Sequence, residues 1–337
     1  MLSRALSWAL IVPSVAIRVP SDVAGARPDM NAIEIRDVTK QFDSVVAVNH
    51  LSLSVPPGSI YGFIGPNGSG KTTTIRMIMN ILVPDSGQIQ VLDRSSASDV
   101  RDQVGYLPEE RGLYKRMTVR QVLRYYGQLK GRSVRQLDPM IKKWLDRLQL
   151  SDWADKKVQT LSKGMSQKVQ FISTIISEPK LLILDEPFSG LDPVNSDALR
   201  DAVLDLRRQG ITVVFSTHDM SAAERLCDRI FMIFKGNKVL DGTLDDIQSR
   251  YGQDTVRVRT AAGASALAGL KDVDAFADVG NYQDVRLKGD AQAFLHELAG
   301  KTQVFHFELK TPSLHDIFVR IAKPTAEDMK APREVQA

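Results

Sequence analysis

The sequence predicts an α/β fold with a nucleotide site where the strands of a buried parallel sheet end. Residues 65–72 fit the pattern G-x-x-x-x-G-K-[ST] at every fixed position. They lie between a short apolar run at 59–64 and apolar residues at helical spacing over 71–82. A second apolar run, 180–184, ends in two adjacent carboxylates. Further strand and helix patterns follow it in alternation, an order typical of a parallel sheet covered by helices.

The glycine-rich segment indicates a phosphate-binding loop, the first part of a P-loop NTPase core. Its glycines let successive backbone N–H groups point at phosphate oxygens, and the following helix adds the partial positive charge of its N-terminus. Lys71 is expected to reach the β- and γ-phosphates of a nucleoside triphosphate, and the Thr72 hydroxyl to ligate Mg²⁺. The alternative is a strand-to-helix turn that carries a lysine by chance. The predicted nucleotide contacts are Gly65, Pro66, Asn67, Gly68, Ser69, Gly70, Lys71, Thr72 and Thr73.

The segments around the loop predict an antiparallel β subdomain. Alternating residues predict strands at 33–38 and within 44–55, the latter broken at Asn49 and His50. After the loop helix, a turn at 84–87 leads into a strand at 88–92. Phe42 lies between the first strands, where its ring either stacks on an adenine or packs in the core.

A helical subdomain is predicted to interrupt the α/β core at about 107–165, with its clearest amphipathic helices at 118–129 and 137–150. The strand and helix pattern of the α/β core then resumes and ends near residue 250. We therefore expect one nucleotide-binding domain over 30–250. The predicted elements of this second half are helices at 163–177, 194–209, 220–228 and 244–251, and strands at 180–184, 211–215, 229–234 and 238–240.

A second, smaller α+β domain is predicted over 253–322. Its elements follow the order β-α-β-β-α-β, which is that of the ferredoxin-like fold, and a further helix at 313–321 closes it. The polar segment 323–337 is expected to be disordered. The strands are predicted at 254–259, 273–279, 282–287 and 303–310, and the helices at 264–270 and 291–298.

Composition excludes some classes of protein. The single cysteine, Cys227, rules out an internal disulfide framework and a cysteine-rich zinc site, which suits a reducing compartment. No apolar run is long enough to span a bilayer, so the chain is not expected to form a channel itself. The net charge of +4 and the pI near 9.0 come from interleaved acids and bases, so no nucleic-acid partner is expected.

Residues 1–29 loosely imitate a secretory signal, with Arg4 before an apolar stretch at 5–17. Export of the chain is not expected, because an ATP site belongs in a compartment that contains ATP. Met30 directly precedes the first patterned strand. We therefore expect residues 1–29 to be an upstream start or a disordered extension rather than an anchor or a signal.

Two strand ends supply further candidate chemistry. Asp185 follows the strand at 180–184 and is expected to hold Mg²⁺, while Glu186 is placed to orient or deprotonate a water molecule. Two acids in this position also occur in ordinary solvated turns. His218 follows the strand at 211–215, where it either bridges the γ-phosphate and the catalytic carboxylate or has a purely structural role.

The helix that begins after Leu161 offers a second candidate anion site. Ser162 is a natural N-cap, and Gly164 allows close backbone approach. An ordinary capped helix start explains the same residues.

Taken together, the motifs resemble the ATP-binding subunits of ABC transporters over residues 31–245. They are Phe42, the phosphate loop, residues 161–168, the strand that ends at Asp185 and Glu186, residues 189–192 and His218, in this order and spacing. The resemblance implies a site for ATP and Mg²⁺. It also implies a homodimer, or a pair with a second ATP-binding subunit, in which Ser162, Gly164 and Asp192 serve the ATP bound to the opposite subunit.

Two positions depart from the family pattern. Lys163 and Met165 replace a glycine and a glutamine of the usual signature L-S-G-G-Q, although Ser162 and Gly164 are retained. Glu109 stands where the family usually has a glutamine beside Mg²⁺, so it is a candidate metal neighbour that adds negative charge.

The resemblance implies an ATP-hydrolysing subunit that powers export through a separate integral-membrane permease, at the cytoplasmic face of the cell membrane. Residues 107–114 and the C-terminal domain resemble a subgroup that includes sodium and drug efflux systems. One alternative is an ABC ATPase that acts on DNA or ribosomes, which would favour two ATPase units in one chain. Another is a C-terminal domain that senses a small ligand and regulates the ATPase.

Overall fold

The computed structural model describes residues 31–95, 97–110, 112–251 and 254–323. The predicted extension at 1–29 lies outside these residues, as does nearly all of the predicted tail. The strands are β1 (Ile33–Phe42), β2 (Val45–Val55), β3 (Ile60–Ile64), β4 (Ser86–Val91), β5 (Val104–Leu107), β6 (Leu181–Asp185), β7 (Thr212–Thr217), β8 (Arg229–Phe234), β9 (Asn237–Gly242), β10 (Thr255–Thr260), β11 (Val273–Val279), β12 (Tyr282–Leu287) and β13 (Val304–Lys310).

The α-helices are α1 (Lys71–Ile78), α2 (Val119–Leu129), α3 (Val134–Arg147), α4 (Lys163–Ile175), α5 (Pro193–Arg208), α6 (Met220–Leu226), α7 (Leu244–Arg250), α8 (Ala291–Lys301) and α9 (Leu314–Ala322). Short 3-10 turns lie at Ala97–Gln103, Ser151–Trp153, Val158–Thr160 and Gly263–Leu267. In the part of the chain that the structure describes, no helix combines the length and apolarity needed to cross a membrane.

The central sheet has the strand order β5-β6-β7-β3-β8-β9, and all neighbours are parallel except β8 and β9. Its central strands β3, β6 and β7 are buried at every position, because both faces of the sheet are covered there. In β6, Leu182 packs in a core shared with α2 to α5, whereas Ile183 packs in a core shared with α1, β1 and β2. The predicted α/β class is confirmed.

A second sheet, β2-β1-β4, is antiparallel, as predicted. The predicted break at Asn49 and His50 is wrong, because β2 runs through it with an irregular register. His50 takes a left-handed backbone conformation (φ 46°). The Thr39 Oγ1 accepts its N–H at 3.1 Å, and Asp37 Oδ1 lies 2.8 Å from its ring Nδ1. Local hydrogen bonds therefore stabilise a bulge where the sequence pattern indicated a break between two strands.

The bounds of several helices also differ from the predictions, and one strand was missed. α1 ends four residues before the predicted end, since Asn80 adopts φ 54°, which a continuing helix does not allow. The strand β5 precedes the helical insertion and was not predicted. α2 and α3 both begin with capping boxes, formed by Thr118 with Gln121 and by Ser133 with Gln136, which moves the start of α3 ahead of the predicted residue 137.

The C-terminal strands form an antiparallel sheet in the order β11-β12-β10-β13, which is the ferredoxin-like order. One face is covered by α8 and by the 3-10 turn Gly263–Leu267, which replaces the first predicted helix. The closing helix α9 leaves this sheet and packs in a core with α6, β8, β9 and α7.

Candidate functional site

The phosphate loop joins β3 to α1, and two of its glycines are required by close packing. A Cβ on Gly65 would overlap the carbonyl oxygen of Ile233, and a Cβ on Gly70 would lie 2.5 Å from the carbonyl oxygen of Ala47. Gly68 has φ 73°, a left-handed conformation that favours glycine. The backbones of β2 and β8 therefore pack against the loop and fix its conformation.

Lys71 is the first residue of α1 and is 5% exposed. Its Nζ donates to the carbonyl oxygens of Gly65 (2.7 Å) and Pro66 (3.1 Å). Burial lowers the pKa of Lys71, while the carboxylates of Glu186 and, more weakly, of neighbouring acids oppose this shift. The loop thus encloses a desolvated cation, which interacts more strongly with an anion than an exposed lysine does.

Asp185 ends β6 beside the loop helix. The Thr72 Oγ1 lies 3.4 Å from Asp185 Oδ1, and the Ser216 hydroxyl also donates to Oδ1. Asp185 is buried, and its Oδ2 has no hydrogen-bond partner in the described residues. A carboxylate and a hydroxyl are the oxygen ligands that Mg²⁺ takes, and the unpartnered oxygen fits such a ligand set. No cluster of three or more metal-binding side chains occurs in the described ranges.

Glu186 and His218 form a direct pair, with His218 Nδ1 3.0 Å from Glu186 Oε1. The Glu186 side chain is 9% exposed, whereas that of His218 is 53% exposed. Burial raises the pKa of Glu186, and the hydrogen bond to His218 partly opposes this shift. A carboxylate with a raised pKa is a better proton acceptor than an ordinary one.

Ser216 is a site residue that the sequence analysis missed. It lies in β7 opposite Asp185, and besides its bond to Asp185 its Oγ accepts the backbone N–H of Glu186 at 3.0 Å. One hydroxyl therefore contacts both acidic residues. The only signal in the sequence was its position just before His218, at the end of an apolar strand.

Ser162, Gly164 and Asp192 form a second group, at the starts of α4 and α5. Ser162 is exposed and caps α4, accepting the N–H of Met165 at 3.2 Å. Asp192 caps α5 by accepting the N–H of Asn195 at 3.0 Å, and a Cβ on Gly164 would lie 3.0 Å from the Asn195 amide nitrogen. Among the described residues, no hydrogen bond joins this group to the phosphate loop.

The two remaining candidates lie at the surface. Phe42 is 45% exposed, so it is not a core residue, and the Lys40 ammonium lies 5.5 Å from its ring centroid. Glu109 is exposed, and its charge is the weakest of three acidic contributions that oppose the lowering of the Lys71 pKa by burial. Glu109 therefore acts electrostatically on the phosphate loop even though it is not buried with Asp185.

Two family models match different parts of the chain. The model described as "ABC transporter" matches residues 48–189, and the one described as "ATP-binding protein DrrA1-3-like, C-terminal domain" matches residues 242–322. A model described as "AAA domain, putative AbiEii toxin, Type IV TA system" matches 157–224.

Relatives span nearly the whole chain. The "Uncharacterized ABC transporter ATP-binding protein YhaQ" of Bacillus subtilis is 39% identical over 85% of this chain and 97% of its own length. The "Nod factor export ATP-binding protein I" of Rhizobium meliloti is 31% identical over 93% of this chain and 94% of its own length. The "Linearmycin resistance ATP-binding protein LnrL" of Bacillus subtilis is 29% identical over 88% of this chain and 100% of its own length.

A solved structure titled "Structure of ATP binding subunit of ABC transporter" superposes with a TM-score of 0.62 at 31% identity, over 66% of this chain and 93% of that one. The ABC model lies over the phosphate loop and both strand-end carboxylates, and the DrrA-like model lies over the C-terminal sheet and α9. The chain belongs to the family of ATP-binding subunits of ABC transporters, which are ATPases.

Proposed function

We propose that the chain hydrolyses ATP to power export through a separate membrane permease, at the cytoplasmic face of the membrane. The observation that carries this proposal is that relatives named for export or drug resistance match both the ATPase part and the C-terminal domain. The permease itself is expected to be a multi-span membrane protein encoded beside this chain. Co-expression of the two should give a detergent-stable complex whose efflux in cells requires an intact Glu186, and efflux without the chain would contradict the proposal.

ATP binding is assigned to the phosphate loop. Its N–H groups and Lys71 would contact the phosphates, replacing the bonds that Lys71 makes to Gly65 and Pro66. Thr72 and Asp185 would hold Mg²⁺, which when bound neutralises charge on the β- and γ-phosphates.

Glu186 is the proposed base that takes a proton from the attacking water. Its buried carboxylate has one hydrogen bond to His218, which orients it, and its backbone N–H is fixed by Ser216. Because His218 is half exposed, its ring is also accessible to a phosphate bound at the sheet edge. We therefore assign His218 to positioning Glu186 and to contact with the γ-phosphate.

Ser162, Gly164 and Asp192 are proposed to complete the site of an opposite subunit in a head-to-tail homodimer. Ser162 is exposed at a helix N-terminus, where backbone N–H groups attract anions. In the described residues, none of these three residues forms a hydrogen bond with the phosphate loop of its own chain. A contact with the ATP of a second copy would explain why a serine, a glycine and an aspartate stand at these two helix starts. ATP would then bind between the two copies and close the dimer.

Ser162→Arg is expected to leave ATP binding to each protomer intact and to block ATP-driven dimer closure, because the long cation would occupy the position of the γ-phosphate. The variant should stay monomeric with ATP in size-exclusion chromatography. Ser162→Ala is the matched control, since it removes the cap, at a cost of about 1 kcal/mol, without adding bulk. A mixture of Ser162→Arg with Lys71→Ala protomers should retain at most one competent site per dimer, and full wild-type activity in that mixture would contradict the head-to-tail arrangement.

A groove between the α/β core and the helical insertion is the proposed docking site for the permease. It has a volume of about 470 Å³ and is lined by residues of both parts, among them Tyr106, Pro108, Leu113, Tyr126 and Leu129. Within the segment 107–114, the charge of Glu109 acts on Lys71 of the phosphate loop. The segment ends at Tyr114, which is 49% exposed and lies beside the lining residue Tyr126. Movement at the nucleotide site would thus be transmitted along the groove wall to a bound helix of the permease. Arg111, in the same segment, lies outside the described residues.

Tyr114→Asp is expected to abolish transport and weaken co-purification with the permease, while the ATPase of the isolated subunit stays near the wild-type rate. The Tyr114 ring makes contacts with Tyr125 (5.2 Å between centroids) and Tyr126 (6.3 Å), so Tyr114→Phe, which keeps the ring, is the control. If the isolated Tyr114→Asp subunit loses ATPase activity, the segment merely packs on its own domain. Normal transport by the variant would also refute the docking proposal.

A further inference from the structure

Helix α9 is shared between the C-terminal domain and the ATPase core. Leu314, Ile317 and Phe318 on its inner face are fully buried in one cluster with residues of α6 and β8. The Leu314 N–H donates to Glu224 Oε1 of α6 at 2.5 Å, and the ring of Phe318 lies 5.4 Å from that of Phe234 in β8. A displacement of α9 therefore acts directly on two elements of the ATPase.

Both of these elements lead to the nucleotide site. α6 begins at Met220, and its N-cap Asp219 directly follows His218, which bonds Glu186. β8 carries Ile233, whose carbonyl oxygen lies against Gly65 of the phosphate loop. The structure thus contains a short path of packed elements from α9 to both the base and the loop.

The outer side of α9 forms one wall of a cleft of about 420 Å³. Val319 and Arg320 line it from the helix, and Phe276, Arg286 and Lys310 line it from the C-terminal sheet. The face of the sheet that α8 leaves uncovered supplies the opposite wall. The cleft is therefore built from both parts of the C-terminal region.

Cationic side chains outnumber carboxylates in the lining of the cleft, with Arg286, Lys310 and Arg320 against Asp284 and Asp316. Asp284 accepts bonds from Arg257 (2.7 and 2.9 Å) and Lys310 (2.8 Å), which lower its pKa to about 2. Asp316 accepts from the N–H of Ser313 at 3.1 Å and from its hydroxyl, so its Oδ2 is also engaged. Three donors thus engage Asp284, and one of the two Asp316 oxygens is engaged by Ser313.

Lys310 and Arg286 have hydrogen-bond donors that their described neighbours do not use. Lys310 has three N–H donors and is 31% exposed, and Arg286 has five and is 40% exposed. In the described residues Lys310 bonds to Asp284, and Arg286 contacts Asp274 Oδ2 through both Nε (2.8 Å) and Nη2 (2.5 Å), which leaves Nη1. Both side chains therefore keep donors for a further acceptor.

Apolar surface lies beside these donors. The side chains of Phe276 and Val319 are 48% and 43% exposed, although both line the cleft. We propose that this cleft binds a small organic anion with a short apolar part, and that its occupancy changes the ATPase rate through α9. The binding step does not depend on the proposed export function, whereas the change in rate rests on the ATPase.

Hexyl phosphate is a suitable probe, with hexanol and hexylammonium as neutral and cationic controls. Hexyl phosphate should raise the thermal unfolding temperature of the full chain and shift its ATPase rate, and the two controls should do neither. Arg286→Gln should weaken binding by about 10-fold, as expected for the loss of one charge-assisted hydrogen bond. Val319→Trp should fill the cleft from the exposed side of α9 and abolish the response. Lys301→Gln, which removes an exposed lysine of α8 outside the cleft, should behave like the wild type.

The anion could be a soluble metabolite or a lipid headgroup, and vesicles distinguish the two. Binding of hexyl phosphate that Val319→Trp abolishes supports a soluble ligand. Binding only to phosphatidylglycerol vesicles, again abolished by Val319→Trp, supports a headgroup. The proposal is overturned if neither probe binds, or if Val319→Trp binds like the wild type. Because unfolding temperature is measured without ATP, such a failure is distinct from a failure of the ATPase.

Discussion

Glu186→Gln is expected to bind ATP normally and to hydrolyse it about 10²- to 10⁴-fold more slowly, the usual cost of losing a general base. The amide matches the carboxylate in shape and can keep the contact with His218, but it cannot accept a proton. Dimers closed by ATP should therefore accumulate, and size-exclusion chromatography with ATP and Mg²⁺ should detect them.

Glu178→Gln is the matched control, since it makes the same change at an exposed glutamate before β6. It should hydrolyse ATP at the wild-type rate. Because burial raises the pKa of Glu186, wild-type hydrolysis should decline on acidification from a higher pH than an ordinary carboxylate would give. Wild-type turnover by Glu186→Gln would show that another group is the base.

Lys71→Ala is expected to lose nucleotide affinity by about 10- to 100-fold, because a hydrogen bond to a charged group is worth about 1.5–3 kcal/mol. The loss should be seen in calorimetric titration with ATP, and hydrolysis should fall with it. The glycines that hold the loop against β2 and β8 are unchanged, so the loop is expected to keep its path.

Lys168→Ala is the control that distinguishes the loss of the contact between Lys71 and the phosphates from the loss of any buried lysine. Lys168 is 6% exposed in α4, and its Nζ donates to the Leu148 carbonyl oxygen at 3.2 Å. That variant should unfold at a lower temperature and still bind ATP. Equal affinity of Lys71→Ala and the wild type, with equal hydrolysis, would refute the assignment of the phosphate loop.

The parts of the site that depend on local spacing could be predicted from the sequence. The phosphate loop has its chemistry within eight consecutive residues, and Asp185 and Glu186 directly follow the four apolar residues 181–184. The alternation of strands and helices was sufficient for the fold class, because a buried parallel sheet requires helices on both faces.

Features that depend on tertiary neighbours could not be predicted. Ser216 joins the site only because β7 lies beside β6 in a register that pairs it with Asp185, 31 residues away. The bulge at His50 depends on Thr39 and Asp37 of the neighbouring strand. The exposure of Phe42 follows from the extension of β1 beyond its predicted end, and no pattern marked β5 as a strand.

The double contact of Ser216 limits how hydrolysis can be controlled. One buried hydroxyl bonds both the Asp185 carboxylate and the backbone N–H of Glu186, so the proposed metal ligand is tied to the backbone that carries the base. In the proposed dimer, hydrolysis then requires the arrival of the second protomer as well as this arrangement. The specific activity of the isolated protein should consequently increase with protein concentration, as for any reaction whose active species forms by second-order association.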